Sequence, residues 1–169
     1  MTSVIPVMNR AAVTVETAPS ELIRAQLLAG EPSTSPEQLT QLALHTDSTV
    51  LCEVAANPNT PAVALARLAR QRFRKLWWYV ARHANTDADT LQFLITNAAW
   101  HVRLAVAQRA DLTLSMLTQL AGDESKHVRC VVAARPDLPA VLRAQLLADH
   151  VAVVRTRARG AKVKDRREI

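Results

Sequence analysis

One stretch, NPNTPAVALARLA at Asn57–Ala69, recurs along the chain at a fixed step of 26 residues. One step back reads EPSTSPEQLTQLA from Glu31. The steps forward read HANTDADTLQFLI from His83, RADLTLSMLTQLA from Arg109 and RPDLPAVLRAQLL from Arg135. Self-similarity at one period is the mark of a repeat array and limits the fold more than any composition does. A unit this short cannot bury its own apolar stripe, so neighbouring units must stack and share one core. The copies run without a gap as 31–56, 57–82, 83–108, 109–134 and 135–160.

Within each copy the pattern predicts two helices. The first carries Leu39, Leu65, Leu91 and Leu117 at one position, on a face shared with Leu68, Leu94 and Leu120. Thr60 is placed as an N-cap with Pro61 as the first helical residue, and Asp87 and Asp89 open a helix where acids suit its dipole. Short polar links follow: HTDS, QRFR, NAAW, GDES and DHVA. The second helix aligns Val50, Leu76, Val102, Val128 and Val154. Four residues on it aligns Val54, Val80, Val106, Val132 and Ala158, on the same face. Ala55, Ala81, Ala107 and Ala133 come next, small enough for close helix approach. The last copy puts Arg143 and Arg159 at core positions, as a solvent-facing cap requires. Ser20–Ala29 resembles Val141–Ala148 and reads as a half-repeat covering the first copy. The expected organisation is therefore an arm and capping helix over 1–30, five repeats over 31–160 and a basic tail over 161–169.

The composition fits an all-α chain: 3 Gly in 169 residues, few aromatics and a large aliphatic share. Two cysteines make no disulfide framework. No signal peptide or membrane span is legible, which gives the expectation of a cytoplasmic protein with no membrane contact. The net charge of +6 is localised. Residues 67–82 carry six basic and no acidic groups, and 155–169 carry seven basic and two acidic, while the remainder is net negative.

With NPNTPAVALARLA and HVRLAVAQR (His101–Arg109) in view, Glu31–Gly160 resembles the variant leucine-rich repeats. It is similar, more distantly, to HEAT-type repeats. The resemblance implies a right-handed α-solenoid of paired helices and is nearly silent on function. The repeat here is longer than is typical of that family, which leaves room for a full α-helix in each second half. A cysteine-ligated iron–sulfur module occurs in that family, but the N-terminal segment here has no cysteine, so no cofactor is expected.

Candidate residues divide into scaffold and surface. Cys52 and Cys130 share an apolar phase with Trp78 and Leu104 and read as packing residues. His101 and His127 share a phase and should line one surface, without the further ligands zinc needs. Arg103, Arg129 and Arg155 form a row that is either a ladder paired with Asp123 and Asp149 or a binding surface. Arg67–Arg82 interleaves cations with Phe73, Trp77, Trp78 and Tyr79. Trp78 is expected in the core, and Arg72, Arg74, Lys75 and Trp77 at the surface. Tyr79, Trp100, His101, Arg103, His127 and Arg129 complete the candidate partner-binding set.

No catalytic motif appears: no nucleophile with a base in context, no phosphate loop and no paired carboxylates of clear role. The expected function is a non-enzymatic scaffold that binds a protein through its curved face. The alternative is nucleic-acid binding through Arg67–Arg82 and the tail, since cations and aromatics suit phosphates and bases. Certain bacterial alkylated-base DNA glycosylases share a HEAT-like architecture, but no residue motif of theirs transfers to this chain.

Overall fold

A computed structural model of the chain describes residues 20–160. Among the described residues there are eleven helices and no strand. They are α1 (Glu21–Gly30), α2 (Pro36–Leu42), α3 (Ser48–Ala56), α4 (Ala62–Ala69), α5 (Leu76–Arg82), α6 (Ala88–Asn97), α7 (Trp100–Ala107), α8 (Leu114–Ala121), α9 (Lys126–Ala133), α10 (Ala140–Leu147) and α11 (Ala152–Gly160). The even-numbered helices α2 to α10 start at 36, 62, 88, 114 and 140, a constant step of 26. The second helix of each pair is a true α-helix, as the longer repeat leaves room for.

Contacts run only between neighbours. α1, α3, α5, α7, α9 and α11 pack in one row, each on the next, and α2, α4, α6, α8 and α10 form a second row against it. Among the described residues, no helix touches another more than two places along the chain. This is the contact pattern of a helical repeat, in which each unit meets only its neighbours.

The core is the interface between the rows. Leu39, Leu65, Leu68, Leu94 and Leu120 from the first helices of the pairs are fully buried in one cluster with Val50, Val54, Leu76, Val80, Val106, Val128 and Val132 from the second helices. Ala55, Ala81, Ala107 and Ala133 are buried where second helices approach each other, and Arg159 is exposed in the last copy. Arg143 is half-buried: it replaces a core leucine and donates to the carbonyls of Arg135 and Ala158, so it closes the end by covering carbonyls.

Two local expectations change. Thr60 does not cap α4; Pro61 holds the N-cap position without a side-chain bond. The Thr60 hydroxyl instead donates back to the Val54 carbonyl at the end of α3. Thr34 and Thr86 repeat this bond to Leu28 and Val80. α1 packs on α3, so it continues the second-helix row, although its residues read like the first helix of the last copy. It covers the first copy on one side and leaves Leu22, Ile23, Leu27 and Leu28 exposed on the other. The arm over 1–17 and the tail over 161–169 lie outside the described residues.

Candidate functional site

The second helices determine which cations are free. Their second or fourth residue belongs to the series Leu51, Trp77, Arg103, Arg129 and Arg155, spaced 26 apart and following the C-terminal end of the preceding first helix and its link. Those helix ends carry unpaired carbonyls that need donors. Arg103 donates to both carboxylate oxygens of Asp123 at 2.6 and 2.9 Å, to the Ala98 carbonyl at 2.7 Å and to Glu124 at 2.9 Å. Arg129 is 5% exposed. It donates to both oxygens of Asp149 at 2.7 and 3.2 Å and to the carbonyls of Asp123 and Glu124 at 2.7 and 3.1 Å. Arg155 donates to the Asp149 carbonyl at 2.7 Å. The Arg129 guanidinium holds the Asp149 carboxyl below its ordinary range. The row is therefore the ladder, and Arg103 and Arg129 leave the candidate binding set because their donors are committed inside the scaffold.

Trp77 occupies the same row and does the same job. Its indole N–H donates to the Ala69 carbonyl at 2.7 Å, and its ring meets Phe93 edge-on at 6.0 Å. Only 8% of it is exposed, while Trp78 is 42% exposed, so the expected roles of the two tryptophans are exchanged. The cause is size. Cys52, Leu104 and Cys130 are half-buried at the phase of Trp78, a partly open position that an indole overfills. Burial pushes the Cys52 thiol above its ordinary value.

A second set of donors is not displayed by the apolar pattern of the sequence. Asn57, His83, Arg109 and Arg135 recur at the 26-residue step, just after each second helix. Each reaches back to the copy before it. Asn57 donates to the Ala29 and Glu31 carbonyls, both at 2.8 Å. The buried His83 ring accepts from the Asn85 N–H at Nδ1, so its Nε2–H donates to the Asn57 carbonyl at 2.8 Å. Arg109 donates to the Ala81 and His83 carbonyls at 3.2 and 2.6 Å. Arg135 donates to those of Ala107 and Arg109. The residue two places on changes with the donor. Asn59 and Asn85 add their own bonds to the previous turn, whereas Asp111 and Asp137 hold Arg109 and Arg135 in place. The signal lay in the sequence as N-x-N, H-x-N, R-x-D and R-x-D at one phase.

Most of the exposed candidates lie on the second helices or at their N-terminal flank. Arg74 and Lys75, Trp100 and His101, and Lys126 and His127 are equivalent positions of α5, α7 and α9 or their immediate N-terminal flank, and all six are exposed. Side chains bridge these copies: Lys75 Nζ donates to Ser48 Oγ at 2.9 Å, and the rings of Trp100 and His127 lie 5.1 Å apart, tilted 31°. His101 and His127 do line one surface. Trp78, with Tyr79 edge-on at 5.3 Å and the Arg82 guanidinium 4.8 Å over its ring, extends this face toward the other helix ends. Tyr79 itself is half-buried against the core. A shallow depression of about 460 Å³ lies beside Arg82, between it and Gln108, Arg109 and Asp111.

The link between α4 and α5 lays its arginines on rings. The guanidinium of Arg70 sits 5.6 Å from the Phe93 ring, that of Arg72 5.0 Å from Phe73 and that of Arg74 5.3 Å from Trp77. Among the described residues, none of Arg67, Arg70, Arg72, Arg74, Lys75 and Arg82 forms an ion pair with a carboxylate. Among the same residues no three His, Cys, Asp or Glu side chains gather in a metal-binding group, and no helix is long and apolar enough to cross a membrane.

The described chain is all-helical, with the neighbour contacts of a helical repeat. Compared with protein-family models, with curated proteins and with solved structures, it finds no match.

Proposed function

We propose that this chain is a non-enzymatic binding scaffold: a right-handed α-solenoid of five two-helix repeats, led by an incomplete copy and related to the variant leucine-rich repeats. It holds a protein partner on the exposed face of its second helices. One observation carries this reading. Trp78 stands 42% exposed on α5 under the Arg82 guanidinium, which no carboxylate among the described residues neutralises, and Trp100 stands 47% exposed on α7 against the His127 ring. Tryptophan and arginine are the side chains that most often dominate protein interfaces, and a repeat fold offers an extended surface on which to set them.

Affinity capture from the producing cells tests it. A protein retained by the native chain, and lost with the Trp78→Ala/Trp100→Ala double variant of unchanged circular dichroism, is the expected result. Retention of the same proteins by both forms, or of none, contradicts it.

A further inference from the structure

We infer that the partner segment held at this face is acidic: an extended run of aspartates or glutamates flanked by an apolar residue, with the carboxylates on the α4–α5 link and the apolar residue on Trp78 or Trp100. The inference rests on the protein-binding reading and names the chemistry of its partner.

Two groups of described arginines differ in what holds them. Arg103, Arg109, Arg129 and Arg135 are wedged between copies, each with an aspartate, and Arg143 and Arg155 donate to carbonyls. The guanidinium groups of Arg70, Arg72 and Arg74 instead sit over the rings of Phe93, Phe73 and Trp77, and Arg70 also donates to the Ala66 carbonyl. A ring face fixes a guanidinium plane while leaving most of its N–H donors outward, so the fork is pre-organised for a planar carboxylate. Lys75, bonded only to the neutral Ser48 hydroxyl, adds a fourth positive charge at the same turn. A cluster of like charges with no internal counter-ion is electrostatically unfavourable until an anion arrives.

The extent of the cluster selects the class of anion. A nucleic-acid strand carries a phosphate at every nucleotide and needs cations along its whole path. Here six unpaired cations concentrate in one copy; among the described residues the other exposed cations without a carboxylate, Arg24, Lys126, Arg157 and Arg159, are spread over α1, α9 and α11. On the copy before, Glu53 is exposed, and in the copies after it Arg103, Arg109, Arg129 and Arg135 are already spent on Asp123, Asp111, Asp149 and Asp137. A short run of carboxylates matches that footprint, and Trp78 and Trp100 beside it suit an apolar side chain.

Fluorescence anisotropy with defined probes tests this. One probe is a fluorescein-labelled peptide with a glutamate run next to a Leu-Phe pair. The others are its glutamine counterpart and single-stranded DNA of matched charge. The acidic peptide is expected to bind, more weakly as salt rises, and the glutamine peptide is not. Arg72→Gln/Arg74→Gln should weaken binding about tenfold, and Arg72→Lys/Arg74→Lys about threefold, because charge stays but the ring-fixed fork is lost. Trp78→Ala should weaken it with unchanged salt dependence. DNA binding tighter than the peptide, no binding by either, or indifference to the double glutamine variant each overturns the inference. A captured protein that depends on Trp78 and Trp100 but is not displaced by the acidic peptide would sink this inference while leaving the protein-binding reading standing.

Discussion

Removing Arg129 should cost the fold far more than removing any of the six unpaired cations of residues 67–82. The Arg129→Ala change deletes a side chain that is 5% exposed. It leaves the Asp149 carboxylate, itself 7% exposed at the side chain, without its bidentate donor. The carbonyls of Asp123 and Glu124 lose their bonds to Nη1 at the same time. Breaking one side of a buried pair costs about 3–5 kcal/mol, and the edge of an array sits at the low end, about 3 kcal/mol. For a chain of this size that is a fall in Tm of about 6–12 °C. Thermal melts followed by circular dichroism, with urea titrations for the free energies, measure it. Arg74→Ala, whose guanidinium touches only the Trp77 ring, should stay within about 0.5 kcal/mol. The Arg129/Asp149 double-mutant cycle should return a coupling of about 1–3 kcal/mol. An Arg129→Ala protein as stable as Arg74→Ala would refute the division of the arginines into scaffold and free groups.

Trp77→Ala should lose about 3–5 kcal/mol, since it empties a buried site and leaves the Ala69 carbonyl without its donor; Trp78→Ala should lose about 0.5 kcal/mol or less by the same melts. Acid should destabilise the stack in a defined direction. Arg129 and Arg109 depress the folded-state pKa of Asp149 and Asp111. Their stabilisation is therefore complete above the ordinary aspartate value of about 3.9 and is lost as pH falls from there through the lower folded values. Asp149→Asn should flatten that part of the stability–pH curve, and an unchanged slope would contradict the pairing. Cys52, half-buried with its thiol pushed up by burial, should react with a disulfide reagent near pH 8 more slowly than free cysteine; an equal rate would place it at the open surface.

The repeat was legible because the 26-residue step is constant and both helices keep a fixed apolar phase. Every aligned valine and leucine of the second helix is buried where the pattern puts it. The site was less legible because one phase can carry different chemistry in different copies. Leu51, Trp77 and Arg129 share a position, but whether it is surface or scaffold depends on the carbonyls below it, which no side-chain pattern displays. A phase shared with Cys52, Leu104 and Cys130 puts Trp78 inside, yet a position that half-buries cysteine leaves much of an indole outside. The Asn57, His83, Arg109 and Arg135 series escaped notice because its members differ in charge and size; what they share is the ability to donate backwards across a turn. Thr60 looked like a cap from its neighbour Pro61, and the Val54 carbonyl claimed its hydroxyl first.

Stacking itself is tested most directly by spin-label distances. Thr49, His101 and Val153 are exposed and occupy one phase on α3, α7 and α11. Adjacent packed helices lie about 8–10 Å apart, so labels on Thr49 and His101 should sit roughly 16–20 Å apart. By the same step, labels on Thr49 and Val153 should sit roughly twice as far apart, about 32–40 Å. Two measured distances in that ratio, in a Cys52→Ser/Cys130→Ser background, fit copies laid side by side at one step; a Thr49–Val153 distance no longer than the Thr49–His101 distance would mean that the helices fold back on one another and no continuous face exists.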